Sequence, residues 1–139
     1  MTYCTGSHTK FYHRYHLVWV TKYRFKVLRG DIQVRLHQII RQTCAEMGVT
    51  VEKGVLSSDH VHMFVLIPPH LALSTVMQRI KGRSSRKIEM EFPDPRKRYW
   101  GRRFWARGYF STTSGNVTDD VILQYLELHS KRKPTGISR

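Results

Sequence analysis

The run His60–Ile67, HVHMFVLI, constrains this chain more than any other stretch. It is dense in apolar and β-branched side chains and is closed by Pro68 and Pro69, so it reads as a strand that the prolines terminate. A second alternating run, Val49–Leu56, precedes it across Ser57, Ser58 and Asp59, three residues with turn chemistry. Phe11–Arg24 is rich in aromatic and β-branched residues and reads as a further strand. Gly30 and Asp31 open a helix in which Ile32, Leu36, Ile39, Ile40 and Met47 recur at helical spacing, with Gly48 as its stop. A second helix starts near Ser74, with Leu73, Val76, Met77 and Ile80 on one face and Gly82 weakening its middle. Phe92–Arg103 reads as loop, Phe104–Thr113 as a last strand, Ser114–Thr118 as a turn and Thr118 to about Ser130 as a third helix. The order strand, helix, strand, strand, helix, strand, helix predicts an α+β, ferredoxin-like (RRM-like) antiparallel sheet with helices on one face and an added C-terminal helix. Residues 1–139 are expected to form one domain, with 131–139 as a mobile basic tail.

Charge narrows the function classes. The chain has 24 Lys and Arg against 10 Asp and Glu, a net charge of +14. A domain so charged repels itself, which points to a polyanionic partner: nucleic acid first, an acidic membrane surface second. No apolar run is long enough for a membrane helix, and the first residues lack the apolar core of a signal peptide. Cys4 and Cys44 make neither a metal spacing nor a disulfide framework, so a soluble, reducing, cytoplasmic setting is expected. The basic residues concentrate between Arg79 and Arg107, interleaved with Phe92, Tyr99, Trp100, Phe104 and Trp105. Such a stretch can track phosphates while its rings stack on bases. Phe104 and Trp105 fit equally as core residues of the last strand.

Two features carry chemistry. In a strand, residues i and i+2 share a face, so His60 and His62 project together and can share a divalent cation. The spacing is equally that of two half-exposed histidines at a strand end. Tyr125 and His129, four apart, share a face of the third helix. A tyrosine within reach of a metal at His60 and His62 is a candidate nucleophile, although its phenol, with an ordinary pKa of about 10, needs activation. The alternative is a core aromatic with its hydroxyl at the rim.

The blocks RYHLVWVTKYRFKVL (Arg14–Leu28), DHVHMFVLIPP (Asp59–Pro69), KGRSSRKI (Lys81–Ile88), FWARGYFSTTSGN (Phe104–Asn116) and VILQYLELH (Val121–His129) fall in one order. Together they resemble the single-tyrosine HUH transposases of small prokaryotic insertion sequences, the IS200-like, TnpA-type family. The resemblance implies that Tyr125 attacks a phosphodiester of single-stranded DNA to give a 5′-phosphotyrosine. It implies that His60, His62 and His129 hold Mg²⁺ or Mn²⁺. His129 stands where the family more often has Gln, and imidazole is the softer donor, which favours Mn²⁺. It implies recognition of subterminal hairpins and a homodimer in which the tyrosine helix can serve the partner's site. Lys22, Arg24, Lys81, Arg83 and Arg86 are the candidate phosphate contacts, and Ser84 and Ser85 can donate to phosphate or bond within their helix. The rival readings are a domesticated HUH nickase or replication-type endonuclease, and a non-catalytic ferredoxin-like RNA-binding module.

Overall fold

The computed structural model of the chain describes residues 12–93, 104–113 and 119–131. Its elements are β1 (His13–Val20), a 3₁₀ turn (Lys22–Arg24), α1 (Gly30–Met47), β2 (Thr50–Leu56), β3 (His60–Ile67), α2 (Leu73–Glu91), β4 (Phe110–Thr112) and α3 (Asp119–Lys131). The strands make one antiparallel sheet in the spatial order β2-β3-β1-β4. This is the expected ferredoxin-like arrangement, with β1 and β3 as the central pair. No helix among the described residues is long and apolar enough to cross a membrane.

Alternation along the central strands sends side chains into two separate cores. Val61, Met63, Val65 and Ile67 of β3 and Leu17 and Trp19 of β1 meet the apolar stripes of α1 and α2. Those stripes run Leu36, Ile39, Ile40 on α1 and Val76, Met77, Ile80 on α2, the spacing of one helix face. Val18 and Val20 point to the other face, where Ile122 and Leu126 of α3 cover them and Ala106, Phe110 and Tyr125 pack around. Hence the run LVWV in β1 is apolar without alternation, because it is buried on both sides.

Two elements differ from the sequence expectation. The first strand ends at Val20, not Arg24, because Tyr23 and Arg24 adopt positive φ of 54° and 56° and turn the chain. Non-glycine residues in this region cost about 1–3 kcal/mol each and persist only where surroundings impose them. Here the Lys22 amide donates to the Phe104 carbonyl at 3.0 Å, and the Thr21 amide to the Asp59 carbonyl at 2.9 Å. The last strand shrinks to Phe110–Thr112, and Trp105 makes only a single bridge to Thr21. Phe104 and Trp105 are core residues at 1% and 3% exposure, so neither ring is offered to a base. Trp105 Nε1 donates to Ser84 Oγ at 3.0 Å, and Ser84 itself donates to the Ile80 carbonyl at 2.7 Å. Ser84 is thus committed inside the protein, and Ser85 donates to the Gly82 carbonyl at 3.2 Å. The loop expected at Phe92–Arg103, the turn expected at 114–118 and the basic tail lie mostly or wholly outside the described residues, as do Tyr99 and Trp100.

Gly82 sits exposed in the interior of α2, and a Cβ built there meets nothing within 4 Å. Backbone entropy makes glycine costly in such a place. Gly82→Ala is expected to raise the unfolding free energy by about 0.5–1 kcal/mol in a urea titration. A loss of stability would show that α2 needs the glycine for close approach.

Candidate active site

β3 buries Val61 and Met63 under α1 and α2, so His60 and His62 emerge half-buried on the opposite face. In the β1–β3 pairing Val20 lies across from His60 and Val18 across from His62, and residues paired this way share a face. Val18 and Val20 are the same residues on which α3 docks. The helix bearing Tyr125 therefore covers the face that carries the two histidines.

His60 is held by its predecessor. Its Nδ1 lies 2.9 Å from Asp59 Oδ1, and since the carboxylate can only accept, Nδ1–H donates. Asp59 is buried and paired on its other oxygen with Arg24, whose Nε and Nη2 reach Oδ2 at 3.0 and 2.9 Å. Arg24 Nη1 donates to the Leu126 carbonyl of α3 at 3.1 Å. His62 Nε2 lies 3.4 Å from Nδ1 of His16, a β1 residue whose ring stacks on Phe64 at 4.4 Å between centroids. Burial pushes the His16 imidazole below its ordinary value.

Tyr125 is half-buried beside Phe110, with ring centroids 5.8 Å apart. It borders an open groove of about 420 Å³ lined by Phe110, Val121, Gln124, Tyr125, Glu127 and Leu128. Desolvation raises its phenol to about 12. His129 follows one turn later on α3, but its side chain lies outside the described residues. Among the described residues no three His, Cys, Asp or Glu converge as a metal-binding group. Cys44 is no nucleophile, since burial in the core pushes its thiol to about 11. Cys4 is outside the described residues.

The five basic candidates divide. Lys22 lies over the Tyr23 ring, 5.5 Å from its centroid, and Arg86 is exposed on α2. Lys81 Nζ donates to the Ala106 and Gly108 carbonyls at 2.9 and 2.7 Å, stapling the segment before β4 to α2. Arg83 pairs with Glu46 at 2.6 Å, and the hydrogen bond holds that carboxyl below its ordinary range. Arg24 is engaged by Asp59 and Leu126 as described. Sequence reasoning overlooked His16, whose only signal was the register of β1 on β3. It also overlooked Asp59 as a partner of His60, although the two are adjacent in the motif.

Because the folded phenol of Tyr125 ionises above the ordinary value of about 10, its neutral form favours the folded state, and that contribution is lost as pH rises through about 12. The difference in absorbance at 295 nm between the native protein and Tyr125→Phe is expected to titrate near pH 12. A transition at or below pH 10 would contradict the burial of the ring.

Comparison with known proteins agrees with the fold. The family model described as "Transposase IS200 like" matches residues 9–129. The chain is 34% identical over 124 residues to the transposase for insertion sequence element IS200 of Salmonella typhimurium, spanning 87% of this chain and 82% of the relative. It is 32% identical over 113 residues to the ISDra2 transposase TnpA of Deinococcus radiodurans, spanning 81% of each. A crystal structure from Deinococcus radiodurans R1, described as a transposase candidate, superposes with a TM-score of 0.81 at 29% identity, covering 93% of this chain and 98% of the other. A REP-associated tyrosine transposase bound to a REP hairpin shares the fold alone, with a TM-score of 0.56 at 13% identity over 89% of this chain and 68% of the other. Matched along most of its length, the chain belongs to the IS200-like transposase family.

Proposed function

We propose that this protein cuts and rejoins single-stranded DNA through a covalent tyrosine link, at sites flanked by hairpins, in excision and integration of an insertion sequence. The observation that carries the reading is the shared face: His60 and His62 emerge where α3, bearing Tyr125, docks on Val18 and Val20. The Tyr125 phenol gives up its proton as its oxygen attacks the scissile phosphorus. The bond to the 3′ oxygen breaks, leaving a free 3′-hydroxyl and the 5′ phosphate on Tyr125. One phosphodiester replaces another, so rejoining to a new 3′-hydroxyl needs no nucleotide cofactor. A phenol raised to about 12 makes a poor nucleophile alone, which is why charge stabilisation at the phosphate matters.

His60, His62 and His129 would hold Mg²⁺ or Mn²⁺, with imidazole donors favouring Mn²⁺, and the cation would polarise the scissile phosphate as a Lewis acid. The carboxylate–histidine contact of Asp59 and His60 supports this, being the arrangement that orients metal-ligating histidines and raises their basicity. The net charge of +14 provides the electrostatic attraction for DNA. Lys22 and Arg86 are the phosphate contacts best supported by their surroundings, whereas Lys81 and Arg83 would have to leave internal partners. A homodimer is the proposed active species, with the Tyr125 helix serving its own or its partner's histidines.

Labelled hairpin DNA incubated with the protein and Mg²⁺ or Mn²⁺ is expected to give a covalent band on a denaturing gel. Tyr125→Phe and chelator should each remove it, and His60→Ala or His62→Ala should lower its rate of formation by about 100-fold or more while hairpin binding persists. His129→Ala should cut more slowly with hairpin binding retained. A band that persists in Tyr125→Phe would refute the nucleophile. Binding without any adduct, with or without metal, would favour the RNA-binding reading.

A further inference from the structure

Arg24 is a candidate phosphate contact by sequence, and the structure engages all three of its guanidinium nitrogens within the protein. We infer that Arg24 is a positioning residue that locks the Tyr125 helix to the His60 side of the site. The inference rests on the proposed pairing of Tyr125 with His60 in one reaction. The guanidinium spends Nε and Nη2 on Asp59 Oδ2, at 3.0 and 2.9 Å, and Nη1 on the Leu126 carbonyl, at 3.1 Å. Asp59 Oδ1 accepts from His60 Nδ1 at 2.9 Å. An unbroken run of polar contacts thus joins the residue after Tyr125 to a candidate metal ligand.

Independent features converge on this. Asp59 is 5% exposed, and a buried carboxylate is tolerated only when paired and hydrogen-bonded. The segment carrying Arg24 is fixed to Asp59 through the backbone as well, since the Thr21 amide and hydroxyl both meet the Asp59 carbonyl, at 2.9 and 3.2 Å. Arg24 lies in the left-handed region with φ 56°, directly after Tyr23 at φ 54°, the kind of conformation that surrounding contacts must impose. A carbonyl in a helix has a second lone pair, and the planar guanidinium fork can reach it while holding a carboxylate. Lysine, a point donor on a flexible stem, cannot reproduce that fork, although it would serve well enough against a phosphate.

The test uses the full chain with Arg24→Lys, Arg24→Ala and Asp59→Asn, each checked for folding by thermal melt. At saturating hairpin, all three are expected to slow single-turnover cleavage by about 10- to 100-fold, with hairpin affinity within about threefold of the parent. Without DNA, Asp59→Asn is expected to weaken Mn²⁺ binding about 10-fold by electron paramagnetic resonance. Amide hydrogen exchange in α3 is expected to quicken by about 10-fold in Arg24→Lys. Parental cleavage and parental α3 exchange in Arg24→Lys would overturn the inference. So would loss of hairpin affinity in Arg24→Ala with a salt slope reduced by about one and recovery in Arg24→Lys, the signature of a phosphate contact. If Arg24→Ala does not fold, Arg24→Lys decides alone. If the parent protein forms no covalent adduct, the proposed chemistry fails, and the exchange of α3 in Arg24→Lys still decides the clasp.

Discussion

Burial of β1 on both faces governs the arrangement of this protein. Leu17, Val18, Trp19 and Val20 are all fully buried, and α1 and α2 can cover only the alternate pair Leu17 and Trp19. Val18 and Val20 need a second cover, and α3 supplies it. A helix of 13 residues is marginal alone in water, so α3 owes its stability to this docking. Ile122 and Leu126 contribute about 1.5–3 kcal/mol each by burial. The single hydrogen bond from Arg24 to the Leu126 carbonyl contributes about 1.5–3 kcal/mol at most. Apolar contact therefore decides that α3 docks, and Arg24 decides how it is turned. Tyr125 reaches the histidine face as a result of covering those valines.

Electrostatics complement that frame. In a chain with a net charge of +14, Asp59 is the one acid among the described residues that is buried, and it is placed between Arg24 and His60. The other structural carboxylates, Glu46 and Glu91, bind Arg83 and Arg35 at the surface, where such pairs contribute little. The excess of positive charge left over is what the proposed DNA substrate would meet. The basic residues divide between those that brace the fold and those that are presented outward.

Much of this was legible in the sequence because it depends on short-range pattern. The strand His60–Ile67 and the helix from Gly30 to its stop at Gly48 follow from local periodicity, and Gly48 takes the left-handed cap with φ 78°. The shared face of His60 and His62 follows from the two-residue repeat of a strand. What was not legible depends on pairings distant in sequence. Nothing local to Phe11–Arg24 announces that Tyr23 and Arg24 leave the strand, since their conformation is imposed by Asp59 and Phe104. Nothing local to Trp105 shows that Ser84, 21 residues away, accepts its indole proton. His16 reaches His62 only through the register of β1 on β3. Charge and the family-like blocks placed Arg24, Lys81 and Arg83 among the candidate phosphate contacts, and neither shows that these cations also brace a carbonyl or a carboxylate.

The central claim is that His60 and His62 hold a divalent cation on the face where α3 presents Tyr125. Paramagnetic broadening by substoichiometric Mn²⁺ in the isotope-labelled protein tests it most directly. The account predicts that the signals of His60, His62 and the Tyr125 ring broaden first, while those of His37 on α1 and His70, beyond the end of β3, remain sharp. Broadening that begins at His37 or His70, or that spares Tyr125 while removing His60 and His62, would contradict it.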